Sequence, residues 1–136
     1  MNTELPSREQ MHDLLTFLPR LYGDDQPLIH SWYDGAGSEG EPWVMPHPEY
    51  ADVVVEFFRA ASAPCWSDYE YDPSSAGAML KEPGFVESAD LSQIRTVLTY
   101  CVRGERFCDG FWAGVIEDGH IRRILERLAT LRAVMA

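Results

Sequence analysis

The chain has 136 residues, 46% of them hydrophobic and 12% aromatic, which suits one globular domain with a real core and excludes a disordered chain. It carries 22 acids against 11 lysines and arginines, a net charge of −11. A surface of that sign repels phosphate backbones, so direct nucleic-acid binding is not expected.

The charge is uneven. Residues 1–90 hold 17 acids and four bases, a net of −13, whereas residues 91–136 hold five acids and seven arginines, a net of +2. No apolar run reaches the roughly 18 residues of a membrane span, and the opening MNTELPSREQ has no signal-peptide core. Three cysteines cannot all pair internally, so a reducing cytoplasm is the expected compartment.

In chain order, Ser7 and Gln10 form a capping box that starts a helix with Met11, Leu14, Leu15 and Leu18 on one face, and Pro19 ends or kinks it. Residues 23–27 read as a turn. Residues 28–34 and 43–45 read as two short strands joined by a glycine-rich loop, hence a small β-hairpin. Pro46 or His47 then precedes a helix with Pro48 at its first position and Tyr50, Val53, Val54, Phe57, Phe58 and Ala61 on its apolar face.

Asp72 is the expected N-cap of the next helix, with Pro73 at N1 and its end at Leu80; Pro83 and Gly84 break it. Asp90 and Gln93 repeat the capping-box pattern ahead of a stripe of Leu91, Ile94, Leu98 and Cys101, which Gly104 ends. Cys108, Phe111, Trp112 and Val115 form the next stripe, closed by Gly119. The last helix buries Ile121, Ile124, Leu125, Leu128 and Leu131 and exposes Arg122, Arg123, Glu126 and Arg127. The expected fold is mainly α (α+β): a single compact helical domain over residues 1–136, with about five to six helices and one small β-hairpin.

The run LTYCVRGERFCDGFWAGVIEDGHIRRILERL, residues 98–128, together with VMPHPEY at 44–50, resembles an uncharacterised bacterial domain-of-unknown-function family. The most specific shared element is RFCDG at 106–110, with a Gly-His helix boundary behind it. That resemblance implies a compact cytosolic bacterial domain and brings no catalytic residues with it.

Several chemistries leave partial traces. Residues 35–40 fit G-x-G-x-x-G, but a phosphate site of that kind needs a helix directly after the glycines, and Glu41, Pro42 and Trp43 follow instead. Cys65, Cys101, Cys108 and His120 could ligand zinc, yet Cys101 and Cys108 lie farther apart than the two to four residues usual in structural sites. No metal and no cofactor is expected. Cys108 with His120 could make a nucleophile and base, but the apolar stripe around Cys108 favours a core cysteine. His12, His30 and His47 are scattered and fit no catalytic order.

The densest chemistry lies in CWSDYEYD, residues 65–72, where Trp66, Tyr69 and Tyr71 alternate with Asp68, Glu70 and Asp72. Asp68 and Glu70 could serve as acid and base in a small cytosolic hydrolase. Trp66 and one tyrosine could instead fill the core. The third reading is docking, with aromatic anchors and carboxylates that steer a basic partner. The arginines Arg103, Arg106, Arg122, Arg123 and Arg127 read as a solvated helix face, with pairing to the acids of the same molecule as the alternative.

The expectation drawn from this is a non-catalytic acidic binding module with Trp66, Asp68, Tyr69, Glu70 and Tyr71 as contact residues. Its partner would be a basic protein surface, such as that of a bacterial nucleic-acid-handling complex, with neither nucleic acid nor membrane bound directly. Anti-CRISPR proteins and other small acidic inhibitors from phages and mobile elements offer an analogy of size and charge only. The charge asymmetry also permits a homo-oligomer.

Overall fold

The computed structural model describes residues 4–22, 28–33, 47–106 and 108–135. Among these, eight α-helices and one pair of strands follow in the order α1 (Arg8–Leu15), α2 (Phe17–Tyr22), β1 (Ile29–Tyr33), β2 (His47–Tyr50), α3 (Asp52–Ala61), α4 (Pro73–Lys81), α5 (Phe85–Ser88), α6 (Leu91–Arg103), α7 (Phe111–Glu117) and α8 (His120–Val134). Short 3-10 turns at Pro64–Trp66 and Gly104–Arg106 lead out of α3 and α6. The mainly helical expectation holds. No described helix is long and apolar enough to cross a membrane.

Three helix starts form as the residue chemistry dictates. Ser7 and Gln10 exchange backbone and side-chain hydrogen bonds at the head of α1, as do Asp90 and Gln93 at the head of α6. Asp72 accepts from the Ser75 amide at 3.0 Å and the Ser75 hydroxyl at 2.7 Å, with Pro73 behind it at N1. Those bonds hold its carboxyl below the ordinary aspartate range.

Two boundaries differ from expectation. The first helix breaks at Thr16, before Pro19. Pro19 has no N–H to offer the Leu15 carbonyl, so α1 stops there and the proline falls within the first turn of α2. The second strand is His47–Tyr50, so Pro48 lies in β2 and does not open a helix. It pairs antiparallel with β1 in the register Ile29 to Tyr50 and Tyr33 to His47, with an irregularity between Ile29 and Ser31. The Ala51 amide continues the ladder to the Leu28 carbonyl at 2.8 Å before α3 begins. Residues 43–45 and the glycine-rich loop lie outside the described residues.

The core lies where α6 and α8 meet. Ile94, Val97, Leu98 and Cys101 of α6 are buried with Ile121, Ile124, Leu125 and Leu128 of α8, and each of the aliphatic side chains stabilises the fold by about 1.5–3 kcal/mol. Packed on this centre are α1, α5 and α7 against α8, and α3 and α4 against α6. α3 adds Phe57 and Phe58, edge to face at 5.0 Å. Helix α5 is an element that periodicity did not show. Gly84 with φ of 79° opens it, and it is one turn long.

Candidate functional site

The 65–72 stretch folds into two sides. The 3-10 turn Pro64–Trp66 seats Trp66 in the core at 3% exposure. Asp68, at 9% exposure, is turned inward. Its amide donates to Thr99 Oγ1 at 2.9 Å, its Oδ2 accepts from Thr96 Oγ1 at 2.7 Å, and its Oδ1 accepts from the Glu70 amide at 3.0 Å. Thr96 and Thr99 stand one turn apart on α6, so Asp68 latches the loop to that helix. Trp66 and Asp68 are therefore structural and do not present the contact surface expected of them. The indole must leave water, and the carboxylate must meet the hydroxyls that burial strips of solvent.

The latch leaves Tyr69 and Glu70 outside. Tyr69 is 47% exposed. Tyr71 is half-buried, with the Arg103 guanidinium 5.2 Å above its ring. Asp68 and Glu70 thus stand in unlike environments. Every hydrogen bond described for the Asp68 carboxylate holds the chain in place, which gives the acid–base pair of the hydrolase reading no support.

Beside Tyr69 opens a groove of about 630 Å³. Phe58 and Trp112 form its apolar part, stacked at 4.4 Å and 7°. Arg59 of α3, Arg103 from the last turn of α6 and Arg106 from the following 3-10 turn line it as well. Glu105 also borders it, but its carboxylate is engaged inward. It accepts from the Tyr50 hydroxyl at 2.7 Å and from the amides of Trp112 and Gly110, both at 2.9 Å. Glu105 therefore ties β2 to the start of α7. Burial and that hydrogen bond both raise the Tyr50 hydroxyl above the usual tyrosine range. Trp112 Nε1 donates to the Val102 carbonyl at 3.0 Å.

A second hollow, of about 290 Å³, is lined by Lys81, Tyr100, Cys108, Asp109, Asp118 and His120 among others. The fold thus brings Cys108 and His120 to one place. Cys108 is exposed, not in the core as expected. Gly110, with φ of 88°, starts α7 only at Phe111, which leaves Cys108 in the turn before the helix and off its apolar stripe.

His120 Nδ1 lies 3.1 Å from the Arg123 guanidinium. Arg123 can only donate, so that nitrogen accepts and the imidazole proton sits on Nε2. Burial, then the charges of Arg123 and Lys81, lower the His120 pKa against the pull of Asp118. Cys101 is fully buried and its thiol is pushed up to about 12 by burial. Burial also raises the half-buried Cys65 thiol. Among the described residues no cluster of three His, Cys, Asp or Glu side chains could hold a metal ion.

On α8, Arg122 and Glu126 are exposed as expected, whereas Arg123 and Arg127 are half-buried and engaged. Arg123 bonds Glu87 of α5 through Nε at 2.9 Å and Nη2 at 3.4 Å, and reaches the Leu80 carbonyl at 3.4 Å. Arg127 Nε donates to the Ala89 carbonyl at 2.9 Å. Arg122 pairs with Glu126 at 3.7 Å and lies 5.6 Å over the Tyr22 ring. These side chains hold α5 and α2 to α8. Arg59, Glu105, Thr96 and Thr99 escaped sequence reasoning. The only local signal is the pair of threonines at i, i+3 on α6.

A family model for DUF6508, a family of unknown function, matches residues 6–134, and the chain belongs to that family. No curated protein and no solved structure matches it.

Proposed function

Starting from membership of a family of unknown function, we propose that this chain is a non-catalytic binding protein of the bacterial cytoplasm, borne by a phage or mobile element. On this reading it covers a basic surface on a nucleic-acid-handling protein. One observation carries the reading: Tyr69 stands 47% exposed beside the exposed Glu70, on a loop that the Asp68 latch fixes to α6. A rigid, exposed aromatic loses little freedom when it docks. The adjoining carboxylates, Glu70 and the helix-capping Asp72, supply steering toward a positive partner. Trp66 and Asp68 act here as supports, and Tyr69, Glu70 and Tyr71 as the contact edge.

Co-purification from bacterial lysate at low and high salt tests this. The expected result is a stoichiometric basic protein at low salt, lost at high salt, and captured at least tenfold less by Tyr69→Ala and Glu70→Lys. No such partner, or equal capture by both variants, would overturn the reading.

A second reading, a small hydrolase, is favoured by the shared hollow of Cys108 and His120. It requires His120 Nε2 to take the thiol proton, whereas the Arg123 contact favours the tautomer in which Nε2 already carries one. Iodoacetamide alkylation of Cys108 across pH is the test. An acceleration below pH 7 that vanishes in His120→Gln supports the pair. Profiles identical in both proteins exclude it.

A further inference from the structure

Among the described residues the ion pairs are Arg20 with Glu56, Arg122 with Glu126 and Arg123 with Glu87. None of them takes a groove arginine. In a chain with twice as many acids as bases, carboxylate partners are abundant. Yet Arg59, Arg103 and Arg106 come together around one groove from three separate elements. Its one carboxylate, Glu105, is hydrogen-bonded to Tyr50, Gly110 and Trp112. Those neutral donors leave Glu105 charged, so three guanidinium groups share one carboxylate; the groove keeps a net positive charge that a bound anion offsets.

We infer that the groove lined by Arg59, Arg103, Arg106 and Tyr69 is a binding site for a small phosphorylated molecule carrying a planar ring, of the nucleotide class. The guanidinium fork matches phosphate oxygens two at a time. Arg103, its guanidinium 5.2 Å from the centroid of the Tyr71 ring, is held beside that ring by a cation–π contact. Tyr69 offers a ring face at the rim on which a base can stack. The groove's volume, about 630 Å³, falls in the range of small-molecule sites. An acidic peptide would satisfy the arginines but makes no use of the exposed ring face. The groove shares Tyr69 with the contact edge proposed above, but Glu70 is not among its lining residues, so Glu70 distinguishes the two.

Isothermal titration of the full chain with AMP, GMP, UMP, adenosine and inorganic phosphate, at low ionic strength, tests the inference. At least one monophosphate should bind tenfold more tightly than inorganic phosphate, and adenosine should bind more weakly than AMP. The double variant Arg59→Ala/Arg106→Ala, which changes two exposed side chains, should lose at least tenfold with its thermal melt unchanged. Tyr69→Ala should shrink the advantage of the nucleotide over phosphate. Three results would overturn the inference: no nucleotide binding, binding by the double variant within twofold of the parent, or capture of a glutamate-rich peptide with no nucleotide bound. Glu70→Lys that loses a protein partner while AMP binding persists separates the two sites.

Discussion

The arginines of α8 and those of the groove are the same residue type put to opposite uses. Arg123 and Arg127 reach Glu87 and the Ala89 carbonyl and fasten α5 to α8, while Arg122 pairs with Glu126 along α8 itself. Arg59 and Arg106 are exposed, and no described carboxylate pairs with them. The acids divide in the same way. Asp68 is turned inward to α6, while Glu70, two residues on, is exposed. A net charge of −11 therefore says little about where charge is available. What counts is which charged groups the fold has already satisfied.

That contrast can be broken at several points. The largest effect is expected from Asp68→Ala, which removes two hydrogen bonds to a buried carboxylate. It should cost about 3 kcal/mol in chemical denaturation, since bonds to charged groups contribute roughly 1.5–3 kcal/mol each. Gly104→Ala comes next. A Cβ there would sit 2.1 Å from the Phe111 ring, so the start of α7 must shift, at a cost of about 1–3 kcal/mol in the same measurement. Arg123→Ala should cost about 1 kcal/mol, kept low because Glu87 is largely exposed, and should speed amide exchange in α5.

The pH dependence is smaller and has a defined sign. The folded His120 pKa lies below its ordinary 6.5, so the unfolded chain takes up the proton first. Stability should fall as pH drops below about 6.5 and level off below the folded pKa. His120→Gln should flatten that slope, and Arg123→Ala should move the His120 proton NMR titration upward. At the other end of the scale, Arg59→Ala and Arg106→Ala should change stability by less than about 0.5 kcal/mol. A larger loss would mean that the groove arginines are structural after all, and the comparison with α8 would fail.

What the sequence revealed follows from how local each signal is. Ser7 with Gln10, Asp90 with Gln93 and Asp72 with Pro73 lie within one turn of each other, and all three starts were legible. Helix α5 is one turn long and carries no period to detect. The spacing of Cys108 to Phe111, Trp112 and Val115 is helical, whereas a left-handed glycine decides where that helix begins. The latch joins residues 68 and 96, and the groove gathers residues 59, 103 and 106. The latch leaves only the Thr96/Thr99 pair in a short window and the groove leaves nothing, because both exist only after α3 and the 65–72 stretch have packed on α6. Within residues 65–72, which acid faces inward depends on two hydroxyls some thirty positions away.

Helix α1 buries Met11 and Leu14, packs against α8, and is tied to it where Arg132 Nε donates to the Arg8 carbonyl at 3.1 Å. The first helix of the domain therefore docks on the last. During synthesis the ribosome adds about 5–20 residues per second, so α1 waits on the order of ten seconds before its partner emerges. Until then it is an amphipathic segment of eight residues, too short to persist alone in water. Its apolar face is open over that interval to whatever chaperone stands at the tunnel exit, and the domain can close only when nearly its whole length has been made.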